Sequence, residues 1–330
     1  MLKFLSICMT TASKKQTVKA QRNRTIALPA REAAALRSKL IVDACIADSK
    51  SLRNRIICGD ALKLIGQLAE SSFDLLFADP PYNLTKKFGQ ESFRELTSDD
   101  YEVWLDSWLS LCVPLLNPTA SIYICGDWRS SAAIQRVGSK YFKLQNRITW
   151  EREKGRGAKA NWKNSAEDIW FFTVSDKFTF NLDAVKVRRK VLAPYKENGK
   201  PKDWNAGKTG NFRDTHPSNI WTDITVPFWS MPENTDHPTQ KPEKLLAKII
   251  LASTNPGDLI LDPFAGSGTT AVAAKKLGRN FIMIEADEDY CLIAQKRLEL
   301  AEQDSSIQGF SEGVFWERNS RKEAQKSRKG

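Results

Sequence analysis

Histidine is scarce in this chain: only His216 and His237 occur among 330 residues. Its six cysteines, Cys8, Cys45, Cys58, Cys112, Cys125 and Cys291, never form a C-x-x-C pair. Together they offer no Cys/His cluster with the spacing of a zinc site, so no structural metal is expected. Four of the cysteines lie in apolar runs and read as buried reduced thiols, not as a disulfide framework. Long apolar runs are missing too. Nothing approaches the roughly 18 residues that span a bilayer, and Phe4 to Met9 is too short and too weakly flanked for a signal peptide. A cytoplasmic location with no membrane partner is expected. There are no internal repeats.

Acidic residues are outnumbered, 39 Asp and Glu against 50 Lys and Arg, and the net charge of +11 favours a polyanionic partner. The excess is localised. Residues 1 to 55 carry 12 basic and 3 acidic side chains, residues 151 to 220 carry 15 and 9, and residues 318 to 330 carry 6 and 1. Those blocks total +20, which leaves the rest of the chain at −9. An acidic body with basic ends and a basic central block suits contact with phosphates through selected surfaces, although any one cluster taken alone reads as a solvated face. With 41% hydrophobic residues, 17 Gly and 14 Pro, the composition is that of a globular protein, and the length fits one elaborated domain with an insertion.

Residues 1 to 53 read as a basic, partly disordered extension in which only Ala30 to Ala47 has weak helical character. From Arg55 the chain alternates strands and helices. Arg55 to Cys58 is a short strand, and Asp60 opens a helix with Leu62, Ile65 and Leu68 on one face. Phe73 to Ala78 is a continuous apolar run, as in parallel strands covered on both faces. A helix from Ser98 to Leu116, with Pro114 bending its last turn, precedes a strand at Ser121 to Cys125 and a helix at Ser130 to Val137. Further strands fall at Gln145 to Trp150 and Asp168 to Thr173. Glu151 to Lys163 is too polar and glycine-rich for regular structure and is expected to be a mobile basic loop. Between Phe178 and Thr235 the periodicity fades, which marks a weakly structured insertion. Order returns with a helix after Pro242, a strand at Leu259 to Asp262, a helix at Thr269 to Leu277, a strand at Asn280 to Glu285 and a closing helix at Asp287 to Gln303.

Two strand ends carry the chemistry. In Asp262-Pro263-Phe264-Ala265-Gly266-Ser267-Gly268-Thr269-Thr270, a buried strand turns into a helix where two glycines let the backbone approach a ligand, and Glu285 ends the next strand where a carboxylate can bind ribose hydroxyls. Read alone, this turn is either a nucleotide site or merely a tight turn. Asp79-Pro80-Pro81-Tyr82 ends the Phe73 strand with an acid, two rigid residues and an aromatic ring, in the crevice where open α/β sheets bind ligands. Read alone, it is either a binding platform or a strand stopped by prolines.

Taken together with His237-Pro238-Thr239-Gln240-Lys241-Pro242, these motifs resemble the three hallmarks of S-adenosylmethionine-dependent DNA methyltransferases that modify exocyclic amino groups. Their order, catalytic motif first, basic region second and cofactor motif last, is similar to the β group of that family. The resemblance covers about residues 55 to 300. It implies a circularly permuted, Rossmann-like, doubly wound α/β methyltransferase domain with a catalytic half at 54 to 150, a target-recognition insertion at 151 to 235 and a cofactor half at 236 to 304, followed by a basic tail at 305 to 330. The implied reaction is methyl transfer from S-adenosylmethionine to a flipped base in duplex DNA, adenine N6 first because Asp rather than Ser opens the tetrapeptide, with cytosine N4 as the alternative. An RNA or protein-glutamine methyltransferase, a nicotinamide-dependent oxidoreductase and a non-catalytic DNA-binding module are the remaining competitors.

The resemblance assigns catalysis to Asp79, Pro80, Pro81 and Tyr82. It assigns the cofactor to Asp60, Asp262, Phe264, Gly266, Gly268, Thr269 and Glu285, with Thr239, Gln240 and Lys241 near the methionine carboxylate and His237 as a cap of that turn. DNA contacts are expected from Arg152, Lys154, Arg156, Lys159 and Lys163, which flank two glycines. Six of the ten tryptophans fall between 150 and 229. Of these, Trp170 and Trp221 read as core, Trp162 as a contact. The resemblance also allows a homodimer and a cognate restriction enzyme as partners, and the sequence selects neither.

Overall fold

A computed structural model describes residues 22–42, 52–88, 91–152, 161–191, 196–207 and 210–318. Its centre is a nine-stranded sheet. In chain order the strands are β1 (Ile41–Val42), β2 (Arg55–Cys58), β3 (Phe73–Ala78), β4 (Leu116–Gly126), β5 (Lys143–Glu151), β6 (Ala166–Thr173), β7 (Ile220–Trp221), β8 (Leu259–Asp262) and β9 (Asn280–Glu285). Across the sheet they lie β1-β2-β9-β8-β3-β4-β6-β5-β7. Only β6 runs antiparallel to its neighbours β4 and β5. The other strands share one direction, so their carboxyl ends meet along a single edge.

Among the described residues seven α-helices accompany the sheet: α1 (Ala30–Arg37), α2 (Ala61–Leu64), α3 (Ser98–Cys112), α4 (Ser131–Tyr141), α5 (Glu243–Ser253), α6 (Thr269–Lys276) and α7 (Glu288–Gln303). They form a layer on each face. Leu75 and Phe77 of β3 pack with residues of α5, α6 and α7, whereas Phe73, Leu76 and Ala78 pack with α2, α3 and α4. The register shift between Phe73 and Leu75 accounts for the break in alternation. A strand buried on both faces has to be apolar at nearly every position, and that is the Phe73 to Ala78 run.

Local signals set the helix ends. Thr97 caps α3 by accepting from the Asp100 N–H at 3.2 Å, and Asp287 caps α7 by accepting from the Asp289 N–H at 2.9 Å. Helix α3 stops at Cys112 instead of reaching Leu116; Pro114 sits in a 3₁₀ turn over Val113–Leu115 because it cannot donate into an α-helical ladder. The Asp60 helix is also shorter than its pattern, one α turn followed by a 3₁₀ turn, and Leu62 is 42% exposed rather than on the buried face.

Three boundaries differ from expectation. The extension expected over residues 1 to 53 contributes α1 and β1, held to α7 by ion pairs of Glu32 with Lys296 and of Arg37 with Glu288, and of Lys39 with Glu299 at 2.6 Å. The stretch 151 to 235 donates β6 and β7 to the central sheet. Its middle also forms part of a five-stranded sheet in the order Asn205–Gly207, Gly210–Thr215, Val187–Lys190, Val314–Trp316, Phe310–Ser311. Two of those strands come from the segment expected to be a tail. Strands of two to six residues carry almost no periodic signal, and Val187 and Phe315 are buried in a small cluster with Val185, Ile307 and Ala247 and Ala252 of α5.

Candidate active site

Strands β3 and β8 are hydrogen-bonded neighbours, with Leu76 opposite Leu261. The turn after β3 and the turn after β8, far apart in sequence, therefore stand side by side. Between them lies a cleft of about 320 Å³ lined by Asp79, Tyr82, His237, Phe264, Gly266 and Glu285, among others.

The Asp79-Pro80-Pro81-Tyr82 turn is tied down from several directions. Tyr101 of α3 donates its hydroxyl to the Pro81 carbonyl at 2.9 Å. The Asn83 N–H donates to the Ser130 hydroxyl at 3.0 Å, and the Asn83 carboxamide oxygen accepts from the Leu96 N–H at 2.7 Å. Tyr82 donates its hydroxyl to Asp79 Oδ1 at 2.9 Å, and Lys241 Nζ donates to Asp79 Oδ2 at 2.5 Å and to the Tyr82 hydroxyl at 3.1 Å. Burial, with the nearby charges of Asp79 and Glu167, raises the Tyr82 phenol well above its ordinary range, so it acts as a hydrogen-bond donor and not as a phenolate.

Opposite this turn, Gly266 has φ +52° and Gly268 φ +75°, left-handed values that favour glycine. The two glycines do different work. A Cβ on Gly266 would lie 2.9 Å from His237 Nε2, inside the cleft, whereas a Cβ on Gly268 would lie 2.5 Å from the Ala294 Cβ of α7. Gly266 shapes the ligand wall and Gly268 lets α6 and α7 close together. Asp262 holds the turn by accepting from the Phe264 N–H at 3.0 Å and the Thr270 hydroxyl at 2.6 Å, and burial, aided by the charges of Asp79 and Glu285, pushes its carboxyl up to about 7. Glu285 accepts from the Gly266 N–H at 2.7 Å and the Asp287 N–H at 2.9 Å. Each carboxylate oxygen carries two lone pairs, so a carboxylate anchored in this way can also accept from a ribose.

The cleft has one aromatic wall, where Phe264 meets Trp108 edge-on at 5.0 Å and Trp104 at 6.1 Å. An apolar wall, acidic groups at Asp60 and Glu285, and a glycine-lined floor fit a nucleoside-bearing ligand. Asp60 caps α2 by accepting from the Leu62 N–H at 3.0 Å and lines the same cleft. Thr269 donates its hydroxyl to the Lys241 carbonyl at 3.0 Å, stapling α6 to the segment before α5. His237 packs edge-on against Tyr290 at 4.4 Å, and its Nδ1 accepts from the Thr239 N–H at 3.3 Å, so it both caps its turn and covers Gly266.

Three assigned residues are engaged by other protein groups, although Gln240 and Lys241 line the cleft. The Lys241 side chain is an ion-pair partner of Asp79, and of Glu167 at 3.5 Å, not a cation offered to a carboxylate at the start of α5. Gln240 is engaged inside its own segment: its carboxamide oxygen accepts from the Thr235 N–H at 2.8 Å, and its Nε2 donates to the Glu233 carbonyl at 2.6 Å. Arg152 is bonded to Glu167, and its guanidinium lies 6.0 Å from the Trp150 ring centre, so a buried carboxylate holds it. Lys163 is exposed, and Lys154, Arg156 and Lys159 lie outside the described residues. Trp221 is buried and Trp170 half-buried, whereas Trp162 is 95% exposed. Among the described residues no group of His, Cys, Asp and Glu could hold a metal ion, and no helix is long and apolar enough to cross a membrane.

Glu167 is the site residue the sequence motifs do not flag. It is 3% exposed on β6, on the face shared with Ile169 and Phe171. An acid on the apolar phase of a strand is the only signal it leaves.

Comparison with known proteins agrees with this geometry. A family model described as DNA methylase, of the N6/N4 methyltransferase type, matches residues 73–296. The chain is 38% identical over 254 residues to the DNA adenine methyltransferase YhdJ of Escherichia coli (strain K12), covering 74% of this chain and 83% of that protein. It is 36% identical over 261 residues to the type II methyltransferase M.HpaI of Haemophilus parainfluenzae, covering 78% and 76%. The crystal structure of the PvuII DNA methyltransferase (cytosine-N4-specific) shares the fold, with a TM-score of 0.53 and 18% identity over 76% of this chain and 92% of that one. The chain therefore belongs to the N6/N4 DNA methylase family.

Proposed function

We propose that this protein transfers a methyl group from S-adenosylmethionine to the exocyclic amino group of a base turned out of duplex DNA, with adenine N6 as the target. The observation that carries the reading is the single cleft in which the Asp79 to Tyr82 turn faces the Gly266 turn. When bound, S-adenosylmethionine supplies an electrophilic methyl on a sulfonium. Phe264, Gly266 and Glu285 would hold it, with Asp60 at the far end.

The amino nitrogen of a base is a poor nucleophile because its lone pair is delocalised into the ring. Asp79 and the Pro80 carbonyl are acceptors that can take its two N–H groups, draw the nitrogen toward a tetrahedral shape and fix its direction. Tyr82 offers a ring for the extruded base, a contact worth about 1 to 3 kcal/mol in single-strand binders. Turning a base out costs a few kcal/mol, so stacking balances extrusion at best. Holding nucleophile and donor in line is the larger effect, roughly 7 to 11 kcal/mol. That is why the turn is bonded to α3, to Leu96 and to Ser130.

Asp79 at the head of the tetrapeptide and the likeness to an enzyme named as a DNA adenine methyltransferase support adenine. The shared fold with a cytosine-N4-specific enzyme keeps cytosine N4 as the second reading, since the same acceptors serve both amino groups. Lys154, Arg156, Lys159 and Lys163, with the small sheet at 187 to 215, are the proposed recognition region, and a cytoplasmic location follows from the substrate. A homodimer and a cognate restriction enzyme are the further partners this reading allows. The test is nucleoside mass spectrometry of DNA from a methylation-free host expressing the protein. N6-methyladenine is expected; N4-methylcytosine would select the second reading, and neither would refute both.

A further inference from the structure

We propose that Glu167 is a positioning residue for methyl transfer, providing a second seat for the Lys241 ammonium so that Asp79 can be released to an incoming amino group. The inference rests on the methyltransferase reading above. Asp79 already accepts from the Tyr82 hydroxyl and, at 2.5 Å, from Lys241. A neutral amino group must compete there with a full positive charge, and charge-assisted hydrogen bonds are roughly twice as strong as neutral ones. Each Asp79 oxygen keeps a second lone pair, but the amino group shares that carboxylate with a full positive charge until Lys241 moves.

Glu167 is built to receive it. Its Oε2 lies 3.5 Å from the same ammonium, is buried and has no hydrogen-bond partner, which is a costly condition for a carboxylate oxygen unless it is filled during function. Its Oε1 is held by Arg152, so the carboxylate cannot swing away. A shift of Nζ by under about 1 Å turns the 3.5 Å ion pair into a hydrogen bond of ordinary length. A second, polar cavity of about 200 Å³ bordered by Trp150, Arg152, Glu167 and Lys241 gives the side chain room on that side. Asp79, Glu167, Lys241 and Arg152 carry two negative and two positive charges, so moving the ammonium leaves the set neutral. Burial opposes the charge on Lys241, but Asp79 and Glu167 outweigh it and raise the ammonium pKa above its ordinary value. The lysine stays charged in either seat. The ammonium also lies 5.4 Å from the Tyr82 ring centre, so its shift changes the charge beside that ring.

The test is a double-mutant cycle on methyl transfer into duplex DNA by the full-length protein. Glu167→Gln should lower kcat by about 10-fold or more, the scale of one charged hydrogen bond, with KM for duplex and cofactor affinity changed less than about 2-fold. Glu167→Asp, which keeps the charge, should recover part of the loss. Because Glu167 acts through Lys241, Glu167→Gln combined with Lys241→Met should be no slower than Lys241→Met alone. Wild-type kcat in Glu167→Gln, or losses that multiply in the double variant, would overturn the proposal. If Glu167→Gln does not fold, the same cycle with Glu167→Asp decides the matter. Absence of methyl transfer by the wild type is a separate result that removes the parent reading.

Discussion

Asp262 is a carboxyl that the fold keeps close to neutrality, and a pH dependence follows from it. In the unfolded chain it titrates near 3.8, whereas burial moves it to about 7 in the folded protein. Folding therefore takes up a proton between those values, and this residue's contribution to stability falls as pH rises from about 4 to about 7. Asp262→Asn cannot titrate, so melting of the variant should lose that dependence. The Tm of the wild type relative to the variant should drop across pH 4 to 7; a constant difference would mean Asp262 is ionised throughout. At this scale the sequence is informative where a side chain belongs to a motif, as with Asp79, Tyr82 and Glu285. It is silent on Glu167 and on the ion pair of Lys241 with Asp79, because a contact between positions 162 residues apart leaves no local trace.

The glycines of the β8–α6 turn separate packing from binding at the scale of elements. Gly268→Ala places a methyl 2.5 Å from the Ala294 Cβ and imposes a positive φ on alanine, so α7 must move. The expected outcome is destabilisation of about 1 to 3 kcal/mol, read by denaturant unfolding. Gly266→Ala meets the His237 ring instead, at 2.9 Å, and should weaken S-adenosylmethionine binding in calorimetry more than it lowers stability. If the two variants had the same effects, the division of roles would be wrong. Elements with a strong apolar phase, such as β3, α3 and α7, are legible in the sequence because burial on one or two faces dictates their residues. The two-residue strand Ile41–Val42 and the short strands of the five-stranded sheet are not, since their order comes from partners distant in the chain.

For the whole molecule, the order of motifs and the order of strands tell the same story. The chain meets the Asp79–Tyr82 turn first and the Gly266 turn last, and the sheet pairs β3 with β8 so that the two share an edge. Charge adds a surface property. If Lys154, Arg156 and Lys159 touch phosphates, replacing them with Gln should weaken duplex binding and flatten the dependence of log Kd on log salt by about 0.9 for each phosphate no longer neutralised. An unchanged slope would move recognition elsewhere. Arg152 is left out of that set because it is bonded to Glu167.

The proposed reaction presupposes that Asp79 serves the reacting amino group and not the cofactor. The decisive measurement is Asp79→Ala assayed in parallel for S-adenosylmethionine binding by calorimetry and for labelled methyl incorporation into duplex DNA. The account predicts nearly intact cofactor affinity with incorporation abolished; a collapse of affinity with surviving incorporation would contradict it.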